Sequence, residues 1–170
     1  MTIIVGIADG TNVWIGGDRG SSDGDNILSM STPKVFQRGE YLIGYSGSQG
    51  IGQLAKHIEI PAPTKNLEKS LRTLFTKSLK SAVEEYSNLN DDNNTDWLVG
   101  VHGHLFEISS SDWQVCEYAE SAVGSGSSIA LGSLHTSAKW KDYNKRVTAA
   151  LHAAIDISPT CKGPIDILKI

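Results

Sequence analysis

An α+β sandwich, two antiparallel sheets flanked by helices, is the fold this sequence predicts. Three observations lead there. Strand-like runs come in two groups instead of alternating singly with helices. Each group is followed by helical stretches whose apolar residues recur at three- and four-residue steps. Short turns join the strands within a group, which suits antiparallel pairing. Two strand groups with amphipathic helices outside them suggest four layers, αββα. The 170 residues read as one domain, 1–170, long enough to bury a core.

Thr2–Ala8 and Asn12–Asp18 are strand-like and turn at Asp9-Gly10-Thr11. Gly20–Asp25, rich in Gly, Ser and Asp, reads as a loop. A second pair, Lys34–Gln37 and Glu40–Ser46, turns at Arg38-Gly39. Gly47–Gly50 leads into a short helix ending near Ile58, and Pro61-Ala62-Pro63 is a rigid stop. The clearest helix is Asn66–Tyr86, with Leu67, Leu71, Leu74, Phe75, Leu79, Ala82 and Tyr86 on one face. The acidic, Asn-rich segment Asn88–Asp96 reads as a loop. Trp97–Val101, Leu105–Ile108 and Trp113–Cys116 follow as successive antiparallel strands. A short strand, Ser121–Val123, enters Gly124-Ser125-Gly126-Ser127-Ser128, and a helix starts at about Ile129. Lys145–Ile155 is a further helix, with Val147, Leu151 and Ile155 on one face, and Pro164–Ile170 is a closing strand.

Composition excludes several function classes. The chain is 39% hydrophobic and 20% charged, as soluble globular proteins are. A net charge of −4 and the absence of any Lys/Arg block leave no electrostatic footprint for nucleic acid. No apolar run reaches membrane-spanning length, and no basic segment precedes the first apolar stretch, so neither a span nor a signal peptide is expected. Cys116 and Cys161 are too few and too isolated for a disulfide framework, which makes a reducing cytoplasm the expected location. His102 and His104 could face a metal together, but Gly103 between them reads as a hairpin turn and no third ligand is evident.

The chemistry centres on Thr2. Methionine is normally trimmed before a small residue, so Met1 is expected to be removed. A chain beginning with threonine carries a hydroxyl nucleophile and a free α-amine, a nucleophile–base pair on one residue. With Met1 retained, the amine is locked in a peptide bond and the base is missing. Asp18 closes Gly16-Gly17-Asp18, and Lys34 lies in Pro33-Lys34-Val35. A cation near the amine disfavours its protonated form. Lys34 can supply that charge, and Asp18 can hold Lys34 ionised and aimed. The bland alternative for Asp18 and Lys34 is an ordinary surface salt bridge. Ser125, between two glycines ahead of a helix, suits a tight turn with an N-cap. A phosphate-cradling turn ranks lower, because the run lacks the Gly-Lys-Ser/Thr ending of a P-loop.

Thr2-Ile3-Ile4-Val5, Gly16-Gly17-Asp18, Lys34-Val35 and Gly124-Ser125-Gly126, in this order and spacing, resemble the N-terminal-nucleophile (Ntn) hydrolases of the proteasome β-subunit and HslV peptidase family. The resemblance is strongest over the first ~50 residues, recurs around Gly124–Gly132, and in the middle is limited to helical character. It implies the four-layer Ntn-hydrolase fold and a threonine peptidase that assembles into homo-oligomeric rings. It implies catalytic roles for Thr2, Asp18 and Lys34, with Ser125 beside the terminal amine. Ile43-Gly44-Tyr45-Ser46-Gly47 resembles the segment whose glycine N–H holds the oxyanion, which makes Gly44 the candidate and Gly47 the runner-up. By the same resemblance Ser21, Thr32, Phe36 and Ser46 border the substrate pocket. Asp156-Ile157-Ser158-Pro159-Thr160-Cys161 resembles a loop with a structural polar cluster, for which Asp156 and Ser158 are the contributors. In some relatives that loop carries a monovalent cation on backbone carbonyls, here near Ile155, Ser158 and Cys161. No cofactor is implied for the chemistry. The implied partners are a peptide or unfolded-protein substrate and, in the HslV-like case, an AAA+ ATPase.

Arg19 directly follows Asp18, whereas many β-subunits separate acid and arginine by one residue. Two other functions stay open: a non-catalytic scaffold subunit of the same fold, and an Ntn amidohydrolase acting on small amides.

Overall fold

In the computed structural model, residues 2–22, 25–87 and 94–170 are described, Ser87 by its backbone alone. Met1 and most of the expected loop Asn88–Asp96 lie outside the described residues. One antiparallel sheet is ordered β10-β1-β2-β11, from β1 (Ile3–Ala8), β2 (Val13–Asp18), β10 (Glu120–Gly124) and β11 (Ile165–Lys169). A second, ordered β5-β6-β7-β8-β9, comprises β5 (Val35–Arg38), β6 (Tyr41–Gly47), β7 (Thr95–Val101), β8 (His104–Ser109) and β9 (Val115–Tyr118). All pairings within both sheets are antiparallel.

The apolar run of β1 explains its central place. Ile3, Val5 and Ile7 turn to one face and pack in a cluster with Ala130, Leu134, Val147 and Leu151. These come from α4 (Ser127–Thr136) and α5 (Tyr143–Ile157). Ile4 turns the other way, into a cluster with Val13, Ile15, Val35, Leu42, Leu98 and Leu105 that joins the two sheets. A strand buried on both faces reads as a continuous apolar run, not an alternating one. The outer face of the second sheet carries Tyr41, Ile43, Tyr45, Trp97, Val99 and Phe106, covered by residues of three helical stretches and their flanks. These stretches are α1 (Gln49–Leu54), a π-helical segment (Ser70–Phe75) following α2 (Leu67–Lys69), and α3 (Thr76–Ser87).

Local structure departs from expectation at several places. Gly20–Ser22 is not loop but strand β3, paired with β4 (Ile27–Ser29) in register Ser21↔Leu28. The β4 backbone supplies partners that a Ser/Gly run does not advertise. In the long helix the buried face is Leu71, Phe75, Leu79 and Val83, a spacing of four throughout, while Leu74 is 37% exposed. The π-helical segment inserts an extra residue and rotates Leu74 outward. Trp113 has φ of 58° and lies in the turn, so β9 starts at Val115. β7 begins at Thr95, two residues before the expected Trp97.

His102 and His104 flank Gly103 in the β7–β8 turn, where His102 and Gly103 both have positive φ, as two-residue hairpins require. Each histidine meets its own carboxylate, Glu40 and Glu117, at 2.7 Å. No group of three metal-ligating side chains occurs among the described residues. Cys116 and Cys161 are unpaired thiols. Among the described residues no helix is long and apolar enough to cross a membrane.

Candidate active site

Backbone pairing brings three strand ends together. Thr2 immediately precedes β1, Asp18 closes β2, and Lys34 immediately precedes β5. β1 and β2 are neighbours in one sheet, with Ile4 opposite Gly17, so Thr2 and Asp18 lie at the same end. β5 belongs to the facing sheet, and Val35 packs in the intersheet cluster with Ile4. Lys34, one residue earlier, therefore reaches across the gap.

The contact is close. Lys34 Nζ donates to Thr2 Oγ1 at 2.7 Å, to Asp18 Oδ1 at 3.0 Å and to the carbonyl of Gly20. Those three acceptors use all three protons of an ammonium. Thr2 and Asp18 are fully buried and Lys34 is 1% exposed, so this is no surface salt bridge. A buried pair is tolerable only with its remaining hydrogen bonds made. They are made: Asp18 Oδ1 also accepts the Ile3 N–H at 3.1 Å, and Oδ2 accepts those of Gly20 at 3.1 Å and Lys162 at 3.0 Å. Burial pulls the Lys34 pKa below its ordinary value, and the Asp18 carboxylate pulls it part of the way back.

Ser125 lies in the turn between β10 and α4. Its hydroxyl donates to the Thr2 carbonyl at 3.4 Å and meets Thr160 Oγ1 at 2.8 Å, which in turn meets Ser158 Oγ at 2.9 Å. The polar cluster thus consists of Ser125, Thr160 and Ser158. Asp156, the acidic contributor expected from the sequence, is exposed on α5 and stands outside it. Thr160 lies within the quoted Asp156–Cys161 loop without being one of its expected contributors, Lys162 lies in no motif, and both are brought in by the connection from α5 to β11. Arg19 closes the same end from outside. It forms a two-pronged pair with Asp166 of β11, both contacts at 2.7 Å, and donates to the Ser31 carbonyl at 2.7 Å.

A cleft of about 560 Å³ opens beside this centre, lined among others by Ser21, Ser46, Gly47, Asp96, Gly124 and Ser125. Gly124 has φ of 104°, and a side chain there would strike the Thr2 carbonyl and Ser46 Oγ. Ser21 and Ser46 both line this cleft. Phe36 does not. It alternates with Val35 onto the opposite face of the sheet, 6.4 Å from the Tyr45 ring and beneath Lys56. Thr32 is exposed in the bend before Lys34 and is not part of this cleft's lining.

Gly44 does not line this cleft either. It lies mid-strand, paired to Val35 on one side and Leu98 on the other, and its Cα faces Ile4 and Ile15 in the intersheet core. Gly47 instead lines the cleft, at φ of 115° where β6 ends beyond the last β5 pairing. Strand ends leave backbone donors outside the ladder, whereas mid-strand positions do not.

No family model matches the chain, and no curated protein matches it. Solved structures do. BPH from Thiobacillus denitrificans, in complex with Epoxomicin, superposes with a TM-score of 0.84 at 20% identity, over 100% of this chain and 98% of that one. Eukaryotic HslV from Trypanosoma brucei gives 0.73 at 18% identity, over 99% and 98%. The Anbu (Gly-1) mutant from Hyphomicrobium sp. strain MC1 gives 0.75 at 15% identity, over 100% and 82%. At these identities the likeness is one of fold, and it runs the length of the chain, including the middle where the sequence resemblance fades.

Proposed function

We propose that this chain is a threonine peptidase of the proteasome β-subunit and HslV kind, with the four-layer αββα arrangement of Ntn hydrolases. The observation that carries the proposal is the buried Lys34 ammonium bridging Thr2 Oγ1 and Asp18 Oδ1 at 2.7 and 3.0 Å. A threonine hydroxyl has no structural need of a buried cation. A nucleophile does, because charge develops on Oγ1 as its proton leaves.

With Met1 removed, the Thr2 α-amine is free and accepts the Oγ1 proton, directly or through water. Oγ1 attacks the peptide carbonyl carbon, and the carbonyl oxygen becomes an oxyanion. The Gly47 N–H is assigned to that oxyanion. The tetrahedral intermediate collapses, the C–N bond breaks, and the amine product takes the proton held by the α-amine. Water then attacks the ester on Thr2, and its proton returns to Oγ1 as acid is released. Lys34 holds its charge beside Oγ1, Asp18 aims Lys34, and Ser125 orients Thr2 through its carbonyl. A monovalent cation plays no part in these steps. In the loop the resemblance assigns to such a cation, the Ser158 carbonyl accepts the Cys161 N–H, while Ile155 lacks an α-helical donor because the residue four on is Pro159.

Intact mass decides whether Met1 is absent, and peptide hydrolysis by wild type against Thr2→Ala tests the nucleophile. Loss of Met1 with Thr2-dependent cleavage supports the assignment. Epoxomicin, the compound bound to BPH, is a direct probe: a mass increment of one inhibitor on wild type and none on Thr2→Ala. Retained Met1 with no cleavage favours the non-catalytic subunit instead. A homo-oligomeric ring and an AAA+ ATPase partner belong to the same proposal, and solution mass by light scattering tests the ring.

A further inference from the structure

The cleft beside Thr2 contains one feature that the catalytic steps leave unused. Asp96 is the sole ionisable side chain in its lining among the described residues; the rest of that lining is serine, glycine, glutamine and asparagine. Asp96 sits on β7 directly opposite Ser46 of β6, so the two side chains share one face. Ser46 in turn abuts Gly124, whose backbone packs on Thr2. One side chain, Ser46, and the Gly124 backbone thus separate Asp96 from Thr2, and all but Thr2 line the same cleft.

Asp96 is only half engaged. Its Oδ1 accepts Ser109 Oγ at 2.6 Å, which fixes the carboxylate in place. Its Oδ2 accepts no hydrogen bond from any described residue. Among the described residues, no lysine or arginine lines the cleft to neutralise it. The ammonium of Lys34 is committed to three acceptors and does not line the cleft. A fixed carboxylate with an open oxygen, in a recess of small polar groups, is complementary to an ammonium or guanidinium and repels another carboxylate.

We infer that Asp96 is a specificity-determining residue and that the cleft selects peptides with a lysine or arginine side chain flanking the cut bond. This rests on the peptidase assignment for the word "cut", but not for binding. Hydrolysis is read by mass spectrometry with peptides of one frame carrying Lys, Arg, Gln, Leu or Glu at each position around the cut. A partly desolvated charge-assisted hydrogen bond predicts a preference for Lys or Arg over Gln of roughly fivefold to thirtyfold in kcat/KM. Asp96→Asn, which keeps an acceptor for Ser109, should collapse that ratio towards one. The wild-type ratio should also shrink as salt rises, a readout that needs no variant to fold.

Binding separates this inference from the peptidase assignment. Thr2→Ala is titrated by calorimetry with the Lys and Glu peptides, with and without Asp96→Asn. Thr2-dependent cleavage with no basic preference overturns the specificity and leaves the peptidase standing. Asp96-dependent binding of the Lys peptide without any cleavage upholds the cationic site and removes the peptidase. Neither cleavage nor charge-selective binding overturns both.

Discussion

Asp18→Ala should damage folding more than Lys34→Met, although the two residues form one ion pair. Asp18 accepts backbone N–H groups of Ile3, Gly20 and Lys162 besides the Lys34 ammonium. Those three donors belong to separate segments, at the start of β1, after β2 and ahead of β11, so the carboxylate clamps the end of a sheet. A buried donor left unmade costs about 1–3 kcal/mol, so the buried Ile3 and Gly20 N–H groups sum to about 2–6 kcal/mol, and the part-buried Lys162 N–H adds less. The stranded ammonium adds a penalty, limited by proton loss from a lysine whose pKa burial already lowers. Lys34→Met leaves the three N–H donors on the carboxylate, and its cost should stay within the roughly 3–5 kcal/mol typical of breaking a buried pair. Domains have about 5–15 kcal/mol in total. Lys34→Met is therefore expected to fold with a reduced urea midpoint, and Asp18→Ala to be unfolded or nearly so at pH 7. Far-UV circular dichroism with urea titration reads both. Equal midpoints for the two variants would refute the view of Asp18 as a backbone clamp.

Three further outcomes are expected. Thr2→Ser should retain peptide hydrolysis and Thr2→Ala should lose it, with both folded, because serine keeps the hydroxyl and amine on one residue; a fluorogenic peptide assay checks it. Leu79→Ala should cost about 2–5 kcal/mol by urea titration and Leu74→Ala distinctly less, since Leu79 is fully buried and Leu74 is 37% exposed. Burial pushes the Tyr41 and Tyr45 phenols up to about 12, above their unfolded values near 10. Unfolding then releases protons above pH 10, so stability is whole below that pH and falls through pH 12 by up to about 1.4 kcal/mol per pH unit for each tyrosine. Lys34 and Lys56 act oppositely, with folded values lowered by burial, and their contribution rises with pH until about 10.4. Unfolding midpoints between pH 8 and 12 should therefore pass through a maximum near pH 10, and Tyr45→Phe should soften the alkaline fall.

Much of the fold was legible because local chemistry matched the tertiary outcome. The apolar runs at Ile3–Ile7 and Val13–Ile15, the turns at Gly10 and Gly39, and the apolar spacing through Leu71, Phe75 and Leu79 each signal the element they form. Elements whose stability is borrowed were not legible. Gly20–Ser22 is a strand only because Ile27–Ser29 lies beside it, and Leu74 faces out only because a π-helical segment shifts the winding.

The site divides along the same line. Thr2, Asp18, Lys34 and Ser125 stand out in the sequence as polar residues at the edges of apolar strands and of a glycine turn, and such positions are set by order along the chain. Which of the flanking residues join them depends on sheet pairing and on the alternation of side chains. By itself the sequence determined the α+β pattern and this polar set. Tertiary structure alone decided that Lys34 reaches Thr2 across two sheets, that Phe36 turns to the far face, and that Gly47 lines the cleft while Gly44 is sealed in the core. It also decided that Thr160, Lys162 and Asp96 come to the site from afar. The reason is physical: propensity and apolar period act over a few residues, whereas a site is made where distant strand ends meet.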